Sequence, residues 1–293
     1  MVREFLKYLR YELNRSQLTV KGYGDDLQSF QTFFKNMDER LSWKTVDSDI
    51  IRAWMESMMD KGNSPASINR RLSALRTFYR FALSRHLVDK DPAHGIVGPK
   101  GRKALPQFLR ESEMDSLLDQ QLEKPEEYIN VRARTIILTF YTTGIRLAEL
   151  IGLDDASVDF LNGQLKVTGK RNKERVIPFG EELKVELENY IRLRDRTIPV
   201  RASALFLTTK GERMNRNQVR YEVQKHLSTV CTLKKRTPHV LRHTFATAML
   251  NHEAGLESVR KLLGHESLST TEIYTHTTFE QLKRVYANAH PRA

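Results

Sequence analysis

Apolar side chains recur every three or four positions through the first hundred residues, the spacing of helices that each bury one face. Phe5, Leu6, Leu9 and Leu13 predict a first helix with a single apolar stripe. Ser16 stands where a cap opens a second, whose buried stripe is Tyr23, Leu27, Phe30, Phe33 and Phe34 and whose start is weakened by Gly22 and Gly24. Ile50, Ile51, Trp54, Met55 and Met58 mark a third helix that stops at Gly62 and Asn63. Ser64 and Pro65 open a fourth, with Ile68, Leu72, Leu75, Phe78, Tyr79 and Leu83 directed inward. Arg70, Arg71, Arg76 and Arg80 take other positions around that helix, free to face a partner. Aromatic and methionine stripes at this spacing are core, and no function is read from them.

Periodicity fails between Pro92 and Pro106, where Ala-His-Gly-Ile-Val-Gly-Pro-Lys-Gly-Arg-Lys-Ala-Leu has the composition of an exposed linker. A chain of 293 residues exceeds one domain of about 100 to 200 residues, so two are expected: 1–95, a linker at 96–105, and 106–293. The second opens with helices near Glu111–Gln121 and Val131–Tyr141, followed by a turn at Thr143-Gly144. Leu165–Thr168 and Arg175–Pro178 read as two strands of a hairpin around the polar loop Gly169-Lys-Arg-Asn-Lys-Glu, and helices dominate beyond it. The fold class is therefore mainly α, in two domains, with a small antiparallel hairpin in the second.

Charge narrows the class of partner. Forty-eight Lys and Arg against 36 Asp and Glu give a formal charge of +12, which favours a polyanion. Between Lys61 and Lys103 there are ten basic residues and two acidic ones, Asp89 and Asp91, so the excess sits where a nucleic-acid backbone would meet it; Lys100, Arg102 and Lys103 join the four helix arginines as DNA-contact candidates. One cysteine, Cys231, excludes an internal disulfide framework and a cysteine-rich zinc site. Arg3, Glu4, Lys7 and Arg10 interrupt the apolar residues of the amino terminus, unlike an export signal, and no run approaches the ~20 apolar residues that span a bilayer. A cytoplasmic protein with no membrane partner is expected.

Four segments carry candidate chemistry: Thr143-Gly-Ile-Arg-Leu-Ala-Glu-Leu150, Gly169-Lys-Arg-Asn-Lys-Glu-Arg-Val-Ile-Pro178, His239-Val-Leu-Arg-His-Thr-Phe245, and Leu262-Leu-Gly-His-Glu266 with Tyr274 beyond. In this order and at these distances they closely resemble the tyrosine recombinase (phage integrase) family, most nearly its Xer branch. The resemblance implies a SAM-like four-helix core-binding domain ahead of a catalytic domain. It assigns Arg146, Lys170, His239, Arg242, His265 and Tyr274 as catalytic, spread over 129 positions. It also implies cleavage and rejoining of DNA through a 3′-phosphotyrosine without metal, ATP or other cofactor. Further implications are a homo- or hetero-tetramer with a related recombinase on DNA, a tail helix over Phe279–His290 that docks into a neighbour, a role in chromosome dimer resolution and an activating DNA translocase.

The residue types suit that chemistry. A phosphodiester cut without metal needs a nucleophile, a proton for the departing 5′ oxygen, and cations facing the charge on the nonbridging oxygens. On the resemblance Tyr274 would be the nucleophile, and the planar forks of Arg146 and Arg242 suit a phosphate clamp. Arg242 follows His239 by three positions, which on a helix puts both on one face. His265 would add a hydrogen bond, and Lys170 on its loop resembles the general acid, with Lys173 the runner-up. His239 and His243 also have a zinc-ligand spacing, but no acid stands between them and Arg242 is a cation. The rival readings are a phage or mobile-element integrase, a type IB topoisomerase, and a DNA-binding protein without catalysis.

Overall fold

The computed structural model describes residues 1–101, 107–119, 127–169, 172–233, 236–264 and 279–293. They fall into two compact units, Met1–Ala104 and Leu105–Ala293.

In the first unit the amphipathic segments become α1 (Val2–Lys7), α2 (Gln17–Met37), α3 (Ser48–Asp60) and α4 (Pro65–Ser84). Capping follows local chemistry: the side chains of Ser16, Asp47 and Ser64 accept backbone N–H groups of the first turns of α2, α3 and α4, and Pro65 occupies the first position of α4. A π-helical stretch, Tyr8–Glu12, continues α1. Its wider turn rotates the stripe, so Leu13, expected inward, is 38% exposed. Leu83, also expected inward, stands 41% exposed in the last turn of α4. The core includes Trp43, which lies outside any helix yet has its ring 4.5 Å from that of Phe78 and 5.3 Å from that of Phe34. Residues expected to begin the linker belong to this unit's packing: Ile96 is buried and the Pro99 carbonyl accepts from Asn69 Nδ2 at 2.9 Å.

The second unit is built around α6 (Tyr128–Thr143), buried along most of its length. A helix enclosed on all sides must satisfy its polar groups internally, and the hydroxyls of Thr135, Thr139, Thr142 and Thr143 each donate to the carbonyl four residues earlier. Around it lie α5 (Glu111–Asp119), α7 (Leu147–Ile151), α8 (Glu181–Thr197), α9 (Arg216–Val230), α10 (Pro238–Asn251), α11 (Leu256–Leu263) and α12 (Phe279–Ala289). The hairpin is β2 (Gln164–Thr168) with β3 (Glu174–Pro178), antiparallel and in register from Gln164↔Pro178 to Thr168↔Glu174. A two-residue strand that the sequence pattern does not signal, β1 (Val158–Asp159), extends it to three strands in the order β1-β2-β3.

The carboxyl-terminal tail closes on its own unit. Tyr286 and Ala289 of α12 pack in a cluster with Phe245, Met249, Leu262 and Leu263. His290, deeply buried, hydrogen-bonds the Tyr141 carbonyl at 3.1 Å, and Arg292 pairs with Asp115, Asp119 and Glu182. The segment expected to reach a neighbour is thus seated in cis in the single chain.

Candidate active site

Two left-handed glycines frame the site. Gly144 ends α6 at φ 59° and Gly264 ends α11 at φ 63°, a conformation side chains rarely adopt. A Cβ on Gly144 would also lie 2.4 Å from Phe245 Cδ1, so this turn requires glycine twice over. Arg146 follows immediately as the N-cap of α7, and its backbone N–H and Nη1 donate to Glu149 Oε2 (2.7 Å) and Oε1 (2.8 Å).

The carboxyl end of α11 leaves carbonyls without helical partners, at the negative end of the helix dipole. Three guanidiniums satisfy them. Arg175 Nε, from β3, donates to Leu262 O at 3.2 Å. Arg242 Nη2, from α10, donates to Leu263 O at 2.7 Å, and Arg146 Nη2 to Gly264 O at 2.7 Å. Arg242 Nη1 reaches Gly144 O, so one side chain ties both glycine turns together.

One buried carboxylate serves this cluster. Glu149 accepts from Arg175 Nη1 at 2.7 Å and Nη2 at 2.9 Å, besides its bonds from Arg146. Burial would push its pKa up, but hydrogen bonds and charge from Arg175 and Arg146 outweigh that and hold it below the usual carboxylate range. Among the described residues of the cluster, three cations against one anion leave surplus positive charge. The pKa of Arg242 falls to about 10, first through burial and then through the like charge of Arg146. An anion placed there would offset the repulsion among the three guanidiniums.

Arg242 is 6% exposed and engaged inward, whereas His239, in the first turn of α10, is exposed. His239 Nε2 lies 3.1 Å from His243 Nε2, so one ring donates and the other accepts. Burial, then His243 and Arg242, keep the His239 pKa below the ordinary imidazole value. Lys170, His265 and Tyr274 lie outside the described residues, as do Arg102 and Lys103. Among the described residues no group of three or more His, Cys, Asp or Glu could hold a metal, and no helix is long and apolar enough to cross a membrane.

The profile of the phage integrase family matches residues 107–281, and that of its N-terminal SAM-like domain matches residues 2–86. This chain belongs to the phage integrase family. The tyrosine recombinase XerC of Chlorobaculum tepidum is 36% identical, covering 99% of this chain and 94% of that protein. The tyrosine recombinase XerC of Staphylococcus aureus is 38% identical, covering 99% and 96%. The fold is shared with solved recombinases: XerH bound to a palindromic difH substrate after cleavage has a TM-score of 0.72 at 21% identity, covering 99% of this chain and 81% of that one. The Tn1549 transposon integrase has a TM-score of 0.70 at 21% identity, covering 97% of each.

In this recombinase the arginines of α4 are not a free row. Arg70 Nη1 and Nη2 donate to both oxygens of buried Asp26, at 2.5 and 2.7 Å, with Arg71 Nε 3.8 Å from the same carboxylate. Arg76 donates to the carbonyls of Ala93 and Ile96, bracing the segment after α4. Arg70, Arg71 and Arg76 thus have intramolecular partners, although the Arg70 side chain is still 54% exposed, and Arg80 and Lys100 are exposed. Sequence reasoning gave no part to Glu149, Arg175 or His243. The Arg146–Glu149 spacing of three was a usable signal for the first; Arg175 had only the look of a charged loop's edge.

Proposed function

We propose that this tyrosine recombinase cuts and rejoins DNA at a specific site through a 3′-phosphotyrosine on Tyr274. The observation that carries the reading is the pair Arg146 and Arg242, held by backbone carbonyls in a cluster of surplus positive charge. Preorganised cations of this kind stabilise charge growing on a phosphate's nonbridging oxygens without moving to do so. Each guanidinium has five N–H donors and, among the described residues, is bonded through only some of them, and the others are the ones proposed to meet the phosphate.

In the proposed step the Tyr274 oxygen bonds to phosphorus, the bond to the 5′ oxygen breaks, and Lys170 passes its proton to that oxygen. His239, kept neutral by its surroundings, accepts the phenolic proton, since a phenol with a pKa near 10 is a poor nucleophile unaided. His265 adds a hydrogen bond to the phosphate. The phosphotyrosine retains the bond energy, so a 5′ hydroxyl of another strand reseals DNA by reversing the same displacement. A tetramer on two DNA sites, a related recombinase as partner, chromosome dimer resolution and activation by a DNA translocase complete the proposal, supported by the full-length similarity to proteins named XerC.

The test is covalent trapping on a nicked suicide substrate. Wild-type protein is expected to form an adduct and Tyr274→Phe to bind the DNA without forming one. An adduct with the Phe variant refutes the nucleophile.

A further inference from the structure

Arg175 sits where three elements meet. Its guanidinium, on a side chain 17% exposed, is bidentate to Glu149 of α7 and donates Nε to Leu262 O at the end of α11. Gly264 packs directly on it, since a Cβ there would lie 3.0 Å from Nε and 3.1 Å from Cδ and Cζ. Glu149 in turn fixes the backbone and guanidinium of Arg146. A single carboxylate therefore locks β3 to the residue that heads the phosphate clamp.

The hairpin adds the second observation. Arg175 is paired with Val167 across the sheet, and Gly169 N donates to Lys173 O at 2.7 Å. A Cβ on Gly169 would lie 3.3 Å from Glu149 Oε1 and 3.6 Å from Arg175 Nη1. The residue just before Lys170 thus rests on the Glu149–Arg175 pair, and the chain leaves β2 for its loop at that point. Position, not charge alone, is what a general acid requires, because a proton moves only across hydrogen-bond distance.

We infer that Arg175 is a positioning residue for proton donation: through Glu149 it sets the exit of the β2–β3 loop against Arg146, so that Lys170 meets the departing 5′ oxygen. The inference rests on Lys170 as the proton donor in the function proposed above. An arginine is required because two parallel N–H groups and a third along Nε must engage a carboxylate and a carbonyl together, which a lysine ammonium does not reproduce.

The test uses full-length protein and two suicide duplexes, one with the natural 5′ oxygen at the scissile position and one with a bridging 5′ sulfur, which departs as a thiolate without a proton. Single-turnover adduct formation is measured for wild type, Arg175→Lys, Arg175→Ala, Lys170→Ala and Arg146→Ala, with DNA affinity and thermal unfolding as checks of folding. On the oxygen substrate both Arg175 variants are expected to lose about 10- to 100-fold, at or below the lower end of the ~10²- to 10⁴-fold that a general acid itself contributes, as suits a residue acting through another. On the sulfur substrate most of that loss disappears, as it does for Lys170→Ala, while the Arg146→Ala defect persists. Should Arg175 variants be equally slow on both substrates while Lys170→Ala is rescued, the inference is wrong and Arg175 serves the clamp. Should Lys170→Ala itself resist rescue, the proton-donor role falls and the inference with it; absence of any wild-type adduct would refute the proposed function. If Arg175→Ala unfolds, the comparison is made with Arg175→Lys.

Discussion

Replacing Glu149 with alanine removes the carboxylate that Arg146 and Arg175 share. Two contributions set the size of the effect. The pair with Arg175 is enclosed, with side chains 17% and 2% exposed, and breaking a buried ion pair by deleting one partner costs about 3–5 kcal/mol because the other charge stays buried. The pair with Arg146 is weaker, since the Arg146 side chain is 39% exposed and solvent screens it to about 0–1 kcal/mol. A loss of about 3–5 kcal/mol therefore comes mainly from Arg175, against a whole-domain stability of about 5–15 kcal/mol. The variant should still fold at low temperature, with Tm lowered by roughly 6–20 °C. Thermal unfolding of Glu149→Ala, Arg175→Ala and the double variant forms a cycle that isolates the pair. Because each single change removes the same interaction, the double variant should cost at least ~1 kcal/mol less than the sum of the singles. Strict additivity would refute the claim that this carboxylate anchors β3. The pH dependence has a definite sign. The folded-state pKa of Glu149 is depressed, so its contribution is complete above the ordinary carboxylate range and disappears as pH falls through the depressed value. Wild-type protein should lose more stability than Glu149→Ala on acidification through that window.

Gly144→Ala combines a left-handed backbone with a Cβ 2.4 Å from Phe245, and should cost about 2–4 kcal/mol by denaturant unfolding; a loss below 1 kcal/mol would mean the turn relaxes freely. His239 should stay neutral to a lower pH than a free imidazole, so the acid limb of single-turnover cleavage is expected below the ordinary imidazole range, and an acid limb unchanged in His239→Gln would assign it to another group.

What could be read along the chain was what neighbours in the chain decide. The opening of α4 needs only Ser64, Pro65 and an apolar residue every third or fourth position, all within one turn's reach. The β2–β3 pairing follows from alternation across a short polar loop. The catalytic candidates were legible because phosphate chemistry admits few side chains, and four short segments carry them in a recurrent order. Trp43 was missed as core because its neighbours have no period, although aromatic rings from α2 and α4 surround it. Leu83 was placed inward by a period that continues past the point where the neighbouring elements stop covering the helix.

The partners of the arginines depended on folding. Arg146 reaches a carbonyl 118 positions away, Arg242 one 98 away and Arg175 one 87 away, and all three acceptors lie at the carboxyl ends of α6 and α11, where carbonyls lack helical partners. The same holds for Arg70 and Asp26, 44 positions apart, whose pairing no local pattern announces. Composition and local pattern settle which helices form and which chemistry is on offer. Which cation is spent on the fold and which is left for a phosphate is a matter of where the unpaired carbonyls and the one buried carboxylate come to rest, and that is decided by packing across the chain.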